Sequence, residues 1–352
     1  MNKKVIKRRI KFIKDPVQNY VCRDNHRRVN MYAKYYDEME IKENTILYES
    51  RDGNSITDSP YAIFKYLLDQ PSYKHFIHIW SVQDFKVLKT VISKYQHIPN
   101  VKFVKRNSKD YLKYLASCKY LINNSTFQSF YIPKSGQIYI NTWHGTPLKH
   151  MGFDMPGNPA HSQNVLRNFL STDYILSPNP HTTKVFTESY KLKGLYEGTI
   201  IEEGYPRIDL TLNTNRNEYI NYLKSIGITI DFRKKNILYA PTWKGTSVSK
   251  VNNDVLQIIA DMNNLEREIG EKFNILVKVH PFLYKQAIQY TNLKSKLIPD
   301  YIDSNELLTI VDLLITDYSS IFFDFLVTGR PILFYTWDAD VYSEERGQYF
   351  SN

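Results

Sequence analysis

Cysteine is nearly absent from this 352-residue chain: Cys22 and Cys118 are the only two, without C-x-x-C spacing, which excludes a disulfide framework or a zinc knuckle and leaves two reduced thiols. Long apolar runs are missing as well. No stretch approaches the roughly 18 consecutive apolar residues of a membrane-spanning helix, and the N-terminus lacks the apolar core and small-residue cleavage site of a secretory signal. The expected location is the cytoplasm. There is no G-x-G-x-x-G for a dinucleotide, no G-x-x-x-x-G-K-[ST] for a nucleoside triphosphate, no H-E-x-x-H and no G-x-S-x-G elbow. Internal repeats and low-complexity tracts are also lacking.

What the sequence has in excess is positive charge, and it lies in one place. Of the net +10, residues 1–28 carry +8, from ten Lys/Arg against Asp15 and Asp24; the other 324 residues hold 36 bases and 34 acids. A nearly neutral body excludes a protein that coats nucleic acid with its whole surface. On a helical projection Ile6, Ile10, Ile13 and Val17 share a face opposite Lys4, Lys7, Arg8, Lys11 and Lys14, and Pro16 limits the helix to about three turns. A short basic amphipathic arm of this kind suits an anionic membrane surface; a solvated or packed helix and a nucleic-acid contact are the other readings of the same pattern. Membrane contact without nucleic acid is the expectation.

Beyond the arm, strand-like and helix-like runs alternate. Thr45–Glu49, His75–Trp80, Val101–Val104, Tyr120–Ile122 and Gln137–Ile140 read as strands, with helical spacing from Pro60 through Leu68 and across Tyr111, Leu112, Tyr114 and Leu115. The second half repeats the rhythm: strands at Asn236–Ala240, Asn274–Val279, Leu313–Ile315 and Pro331–Tyr335, helices at Val255–Ile269, from Ser304, and at Ser319–Val327. This βαβ rhythm implies parallel sheets covered by helices. The polar run Leu210–Asn215 loses the strand pattern and marks the expected joint between the two halves.

In open parallel sheets, ligands bind beyond the carboxyl ends of the strands. After Gln137–Ile140 comes His144-Gly145, after Asn236–Ala240 comes Pro241-Thr242-Trp243, after Asn274–Val279 comes His280-Pro281, and after Leu313–Ile315 come Asp317, Ser319 and Ser320. His144 is the candidate general base, an imidazole beside a glycine that lets a ligand approach the backbone. Ser319 and Ser320 stand at a helix start that can receive an anion, or act as plain N-caps. His280 can reach the same crevice as a phosphate-contacting or proton-donating group. Arg207, in Gly204-Tyr205-Pro206-Arg207-Ile208-Asp209, can clamp a diphosphate or pair with Asp209. Asp338-Ala339-Asp340 has the spacing of a chelating pair, which is common by chance.

Trp143-His144-Gly145-Thr146-Pro147-Leu148-Lys149, Gly204–Asp209, Tyr239-Ala240-Pro241-Thr242-Trp243, Lys278-Val279-His280-Pro281, Asp317-Tyr318-Ser319-Ser320 with Asp324, and Arg330-Pro331 together resemble the CDP-glycerol glycerophosphotransferase family of teichoic acid synthesis. The resemblance implies a GT-B α/β fold: two Rossmann-like domains facing a cleft, here a basic arm over residues 1–28, an acceptor domain over 29–210 and a CDP-alditol-binding domain over 211–352. It implies a peripheral enzyme on the inner face of the cell membrane that moves glycerol phosphate from CDP-glycerol to a hydroxyl of an undecaprenyl-diphosphate-linked saccharide and releases CMP. His144 would be the base on the acceptor side, His280, also catalytic, would hold the diphosphate together with Arg207, Ser319 and Ser320, and Thr242, Lys278 and Asp324 would complete the donor site, with no metal and no required cofactor. Ribitol-phosphate and capsule-polymer transferases use similar motifs, and a non-catalytic membrane- or nucleic-acid-binding protein on the same scaffold would need neither histidine. With one catalytic module, the expected product carries one added unit or few. Arg346-Gly347 resembles the start of a late arginine-glycine motif, but the chain stops at Asn352, so the expectation is a C-terminal domain cut short.

Overall fold

The structure is a computed structural model describing residues 24–155, 162–242, 251–338 and 349. The amphipathic arm, the Trp243 end of its loop, Asp340, and Arg346 with Gly347 lie outside the described residues.

Among the described residues, eleven strands form two parallel sheets. The first contains β1 (Lys42–Glu49), β2 (Ile77–Val82), β3 (Val101–Lys105), β4 (Cys118–Asn123), β5 (Ile138–Asn141), β6 (Tyr174–Ser177) and β7 (Thr199–Glu202), in the order β3-β2-β1-β4-β5-β6-β7. The second contains β8 (Lys235–Ala240), β9 (Phe273–Val277), β10 (Leu313–Thr316) and β11 (Ile332–Phe334), in the order β11-β10-β8-β9. Both orders reverse direction partway across, between β1 and β4 and between β8 and β10, as doubly wound sheets do.

Burial on both faces explains why the strands read as apolar runs rather than alternations. In β1, Ile46 and Tyr48 pack under the helix Asp58–Asp69 with Phe64 and Trp80, while Leu47 points the other way, toward Tyr111, Leu112 and Leu115 of the helix Lys109–Ser117. In β8, Leu238 joins Leu223, Leu307 and Leu314, whereas Ile237 and Tyr239 face Val255, Ile258 and Met262. Each such fully buried apolar side chain contributes about 1.5–3 kcal/mol.

The segment of the expected joint, Leu210–Asn215, is largely helical: Ile208–Asn213 and Arg216–Ser225 are helices. The polar residues that broke the pattern are caps and ties. The Asn215 side chain accepts hydrogen bonds from the N–H groups of Asn217 and Glu218, and Thr211 Oγ1 donates to the Asn305 carbonyl at 2.9 Å. The helix read over Ser319–Val327 is shorter, Ile321–Phe325, running into a 3₁₀ turn at Leu326–Thr328. Two short strands, β6 and β7, have no counterpart in the sequence reading.

Candidate functional site

A cleft of about 660 Å³ lies where the carboxyl ends of the two sheets face one another. It is lined from the first half by the segments after β1 and β5, and from the second by those after β8, β9 and β10. All are carboxyl ends of strands, and those after β8 and β10 flank the second switch point, so the cleft occupies the edge where doubly wound sheets bind ligands.

His144 is delivered by a strained turn. Trp143 holds a left-handed backbone (φ 51°), its N–H bonded to Asn141 Oδ1 at 2.9 Å and its indole packed against Phe169, Phe186 and Tyr190. With Trp143 anchored inward, the next side chain is turned into the cleft. His144 Nδ1 lies 2.7 Å from the Asn124 carbonyl oxygen. A carbonyl can only accept, so Nδ1 carries the hydrogen and the neutral ring has its lone pair on Nε2. Desolvation inside the cleft lowers the ring's pKa below the usual histidine value, the opposing effect of the Asn124 carbonyl being smaller, which keeps that lone pair available.

His280 has the opposite arrangement. It caps the helix Pro281–Ala287, and its Nδ1 accepts the Phe282 N–H at 3.3 Å. In the neutral ring Nε2 then carries the hydrogen. Burial, with Arg51 and Lys149 nearby, pushes its pKa down to about 4. One histidine therefore offers a base and the other a neutral hydrogen-bond donor.

Lys278 Nζ donates to the Ile302 carbonyl at 2.9 Å, and desolvation pushes its pKa down to about 8. Thr242 N–H is held by Asp317 Oδ1 at 2.8 Å, while the buried Thr242 hydroxyl finds no partner among the described residues. Ser320, not Ser319, is the helix N-cap residue, and it makes no side-chain cap bond; Ser319 Oγ accepts the Ile321 N–H at a long 3.4 Å. Gly145 sits against Ser320 across the cleft: a Cβ there would lie 3.0 Å from the serine oxygen. The glycine admits the opposite wall as well as a ligand. Asp338 accepts from the Tyr318 hydroxyl at 3.0 Å.

Arg207 has partners other than Asp209 or an open cleft. Its Nη1 donates to Asp58 at 3.1 Å and its Nη2 to Asp324 at 2.9 Å, with the side chain 4% exposed. The two residues expected to contact the donor, Arg207 and Asp324, are thus paired with each other. Their charges are largely spent in joining the halves.

Residues not singled out from sequence complete the site. Asn124 is its hub: besides holding His144, its side chain accepts the Arg51 N–H at 3.0 Å and donates to Asp58 at 2.9 Å. Arg51 reaches across to Asp300 through two bonds of 3.2 and 3.3 Å, and Asp303 accepts the Asp58 N–H at 2.6 Å. The strand-end rule finds Arg51 when it is applied to β1. Asn124 carries no signal beyond its place after β4. Tyr349 ties the chain's end to the first half: its N–H donates to the Leu148 carbonyl, and its ring contacts His150 and His181. Among the described residues no group of three or more His, Cys, Asp or Glu is placed to hold a metal ion, and no helix is long and apolar enough to cross a membrane.

Comparison with known proteins gives a consistent set. The profile of the family described as CDP-Glycerol:Poly(glycerophosphate) glycerophosphotransferase matches residues 31–351. The chain is 35% identical over 320 residues to a teichoic acid poly(glycerol phosphate) polymerase of Bacillus spizizenii, covering 88% of this chain and 78% of that protein. It is 32% identical over 346 residues to the corresponding polymerase of Staphylococcus epidermidis, covering 96% of this chain but only 46% of the relative's length. A solved structure of the wall teichoic acid polymerase TagF, in a histidine-to-asparagine variant soaked with CDPG, superposes with a TM-score of 0.74 at 29% identity, covering 100% of this chain and 83% of that one.

Proposed function

The chain belongs to the CDP-glycerol:poly(glycerophosphate) glycerophosphotransferase family, and from that premise we propose that it transfers glycerol phosphate from CDP-glycerol to a hydroxyl of an undecaprenyl-diphosphate-linked saccharide acceptor, releasing CMP. The observation that carries this reading is the pair of oppositely hydrogen-bonded histidines on facing walls of one cleft. His144 Nε2 takes the proton of the attacking acceptor hydroxyl. His280 Nε2–H, Lys278 and the hydroxyls of Thr242, Ser319 and Ser320 surround the diphosphate. Charge building on the bridging oxygen as the phosphoryl group departs is met by these donors, and CMP leaves. Phosphoryl transfer asks for positioning and charge stabilisation rather than covalent help, and donors fixed in a cleft supply both.

In this reading the arrangement is GT-B, with residues 29–210 the acceptor domain and 211–352 the CDP-alditol-binding domain. Arg207 and Asp324 position the two walls and reach the donor only if their ion pairs exchange. The protein works as a peripheral enzyme at the inner membrane face, held there by its basic arm. The test is incubation with a panel of CDP-alditols and a short-chain lipid-linked disaccharide, following CMP and product mass. Wild type releases CMP with CDP-glycerol and adds glycerol phosphate units. His144→Ala loses about 10²- to 10⁴-fold in turnover, as general-base removal does, with CDP-glycerol binding retained. Undiminished turnover in that variant removes the base assignment, and preference for CDP-ribitol removes the glycerol assignment.

A further inference from the structure

On the same carboxyl edge of the first sheet, beside the cleft, lies a second hollow of about 300 Å³. The two cavities share a wall. The turn after β1 contributes Arg51 to the cleft and Asp52 to the hollow. The loop after β4 begins with Asn124, whose carbonyl holds His144, and continues through Thr126 and Gln128 into the hollow. Four residues of chain span at most about 14 Å, so the hollow opens within one or two polyol phosphate units of the proposed base.

Its lining suits hydroxyls and isolated phosphates. Amides from Asn107, Gln128 and Asn164 both donate and accept, and the ring of Phe130 adds an apolar face. The amides are fixed in advance: Gln128 donates to Asn107 Oδ1 at 2.8 Å and accepts the Tyr111 hydroxyl at 2.9 Å, and Asn164 donates to Thr126 Oγ1 at 3.1 Å. Each amide nitrogen has two hydrogens, so that of Gln128 retains one beyond this bond. Arg106 lines the hollow already paired with Glu49 at 3.1 Å and Asp52 at 3.0 Å. A site with its main cation so compensated is matched to a chain of hydroxyls with occasional phosphate rather than to a dense polyanion. Arg28, also at the hollow, stands on the helix Asp24–Glu38, which directly continues the basic N-terminal segment.

We propose that this hollow binds the acceptor: the hydroxyl-rich, phosphate-linked chain behind the reacting hydroxyl lies there, passing over the Arg51-Asp52 partition so that its end meets His144. The inference rests on the transferase reading above. The ligand chemistry has two sources, glycerol phosphate units already added or the saccharide of an unextended acceptor, and the test separates them.

Wild type, Ser129→Trp and Gln128→Ala are titrated with soluble tri(glycerol phosphate), with a short-chain diphosphate-linked disaccharide, and separately with CDP-glycerol. Ser129 is exposed at the hollow, so the tryptophan plugs the opening without disturbing the buried bonds. The expected result is acceptor Kd and KM raised about tenfold or more by Ser129→Trp and about three- to tenfold by Gln128→Ala, the latter being one hydrogen bond's worth. Donor Kd stays within twofold. The probe whose affinity falls identifies the source. Unchanged affinity for both acceptor probes in both variants, with CDP-glycerol still bound, overturns the hollow's role and leaves the transferase intact. Failure of wild type to bind CDP-glycerol overturns the transferase reading instead.

Discussion

The two histidines use the same ring atom for opposite purposes. His144 Nδ1 gives a hydrogen to Asn124 and His280 Nδ1 takes one from Phe282, so their outward nitrogens differ by a proton while both rings are neutral. This has a pH signature. A base must be unprotonated, and desolvation in the cleft lowers the pKa of His144 from the ordinary histidine value, so the acid limb of kcat/KM lies at lower pH than an unperturbed histidine would give. On the alkaline side Lys278 loses its proton at about 8, and donor KM rises as pH climbs through that value. Lys278→Arg keeps the charge and flattens the alkaline rise, whatever its effect on the absolute KM; a rise that persists in this variant assigns it to another group. Both histidines were legible in the sequence because each lies a few residues past a strand end and precedes a Gly or Pro. Their tautomers were not. Those depend on Asn124, 20 residues from His144, and on a capping geometry that spacing alone does not fix.

At the level of elements, the ends of strands carried most of what could be read. Runs such as Ile46-Leu47-Tyr48 and Ile237-Leu238-Tyr239 announce themselves because both faces are buried, and the loops after them point to the cleft. The turn at Arg51-Asp52-Gly53 was also visible in sequence, and all three residues adopt left-handed φ (47°, 57°, 75°). What held that strain in place was hidden: the fully buried Glu49, clamped by Ser81 and Arg106. Arg207 makes the same point. In sequence Arg207 reads as a diphosphate clamp or as a partner of Asp209; its partners in the structure are Asp58 and Asp324, 149 and 117 residues away. Arg207→Ala strands two carboxylates in a poorly solvated site and costs about 3–5 kcal/mol, read by urea unfolding. A loss below about 1 kcal/mol shows that water reaches the pair and that it does not join the halves.

For the molecule as a whole, alternation of strands and helices disclosed parallel α/β halves, whereas the order of strands within each sheet follows from crossovers that no local pattern encodes. The charge distribution operates at this scale too. If the arm binds membrane, deleting residues 1–14 removes seven bases, each worth about 1 kcal/mol at an anionic surface. Binding to phosphatidylglycerol vesicles in sedimentation then falls, with the difference shrinking at high salt; equal binding by both forms removes the arm's role. The attachment of Tyr349 has a consequence for the loop that carries His144. Its N–H donates to the Leu148 carbonyl and its hydroxyl accepts the Met151 N–H, so that loop is pinned four and seven residues beyond the proposed base, and a substitution at Tyr349 reaches the cleft wall without touching the reacting groups.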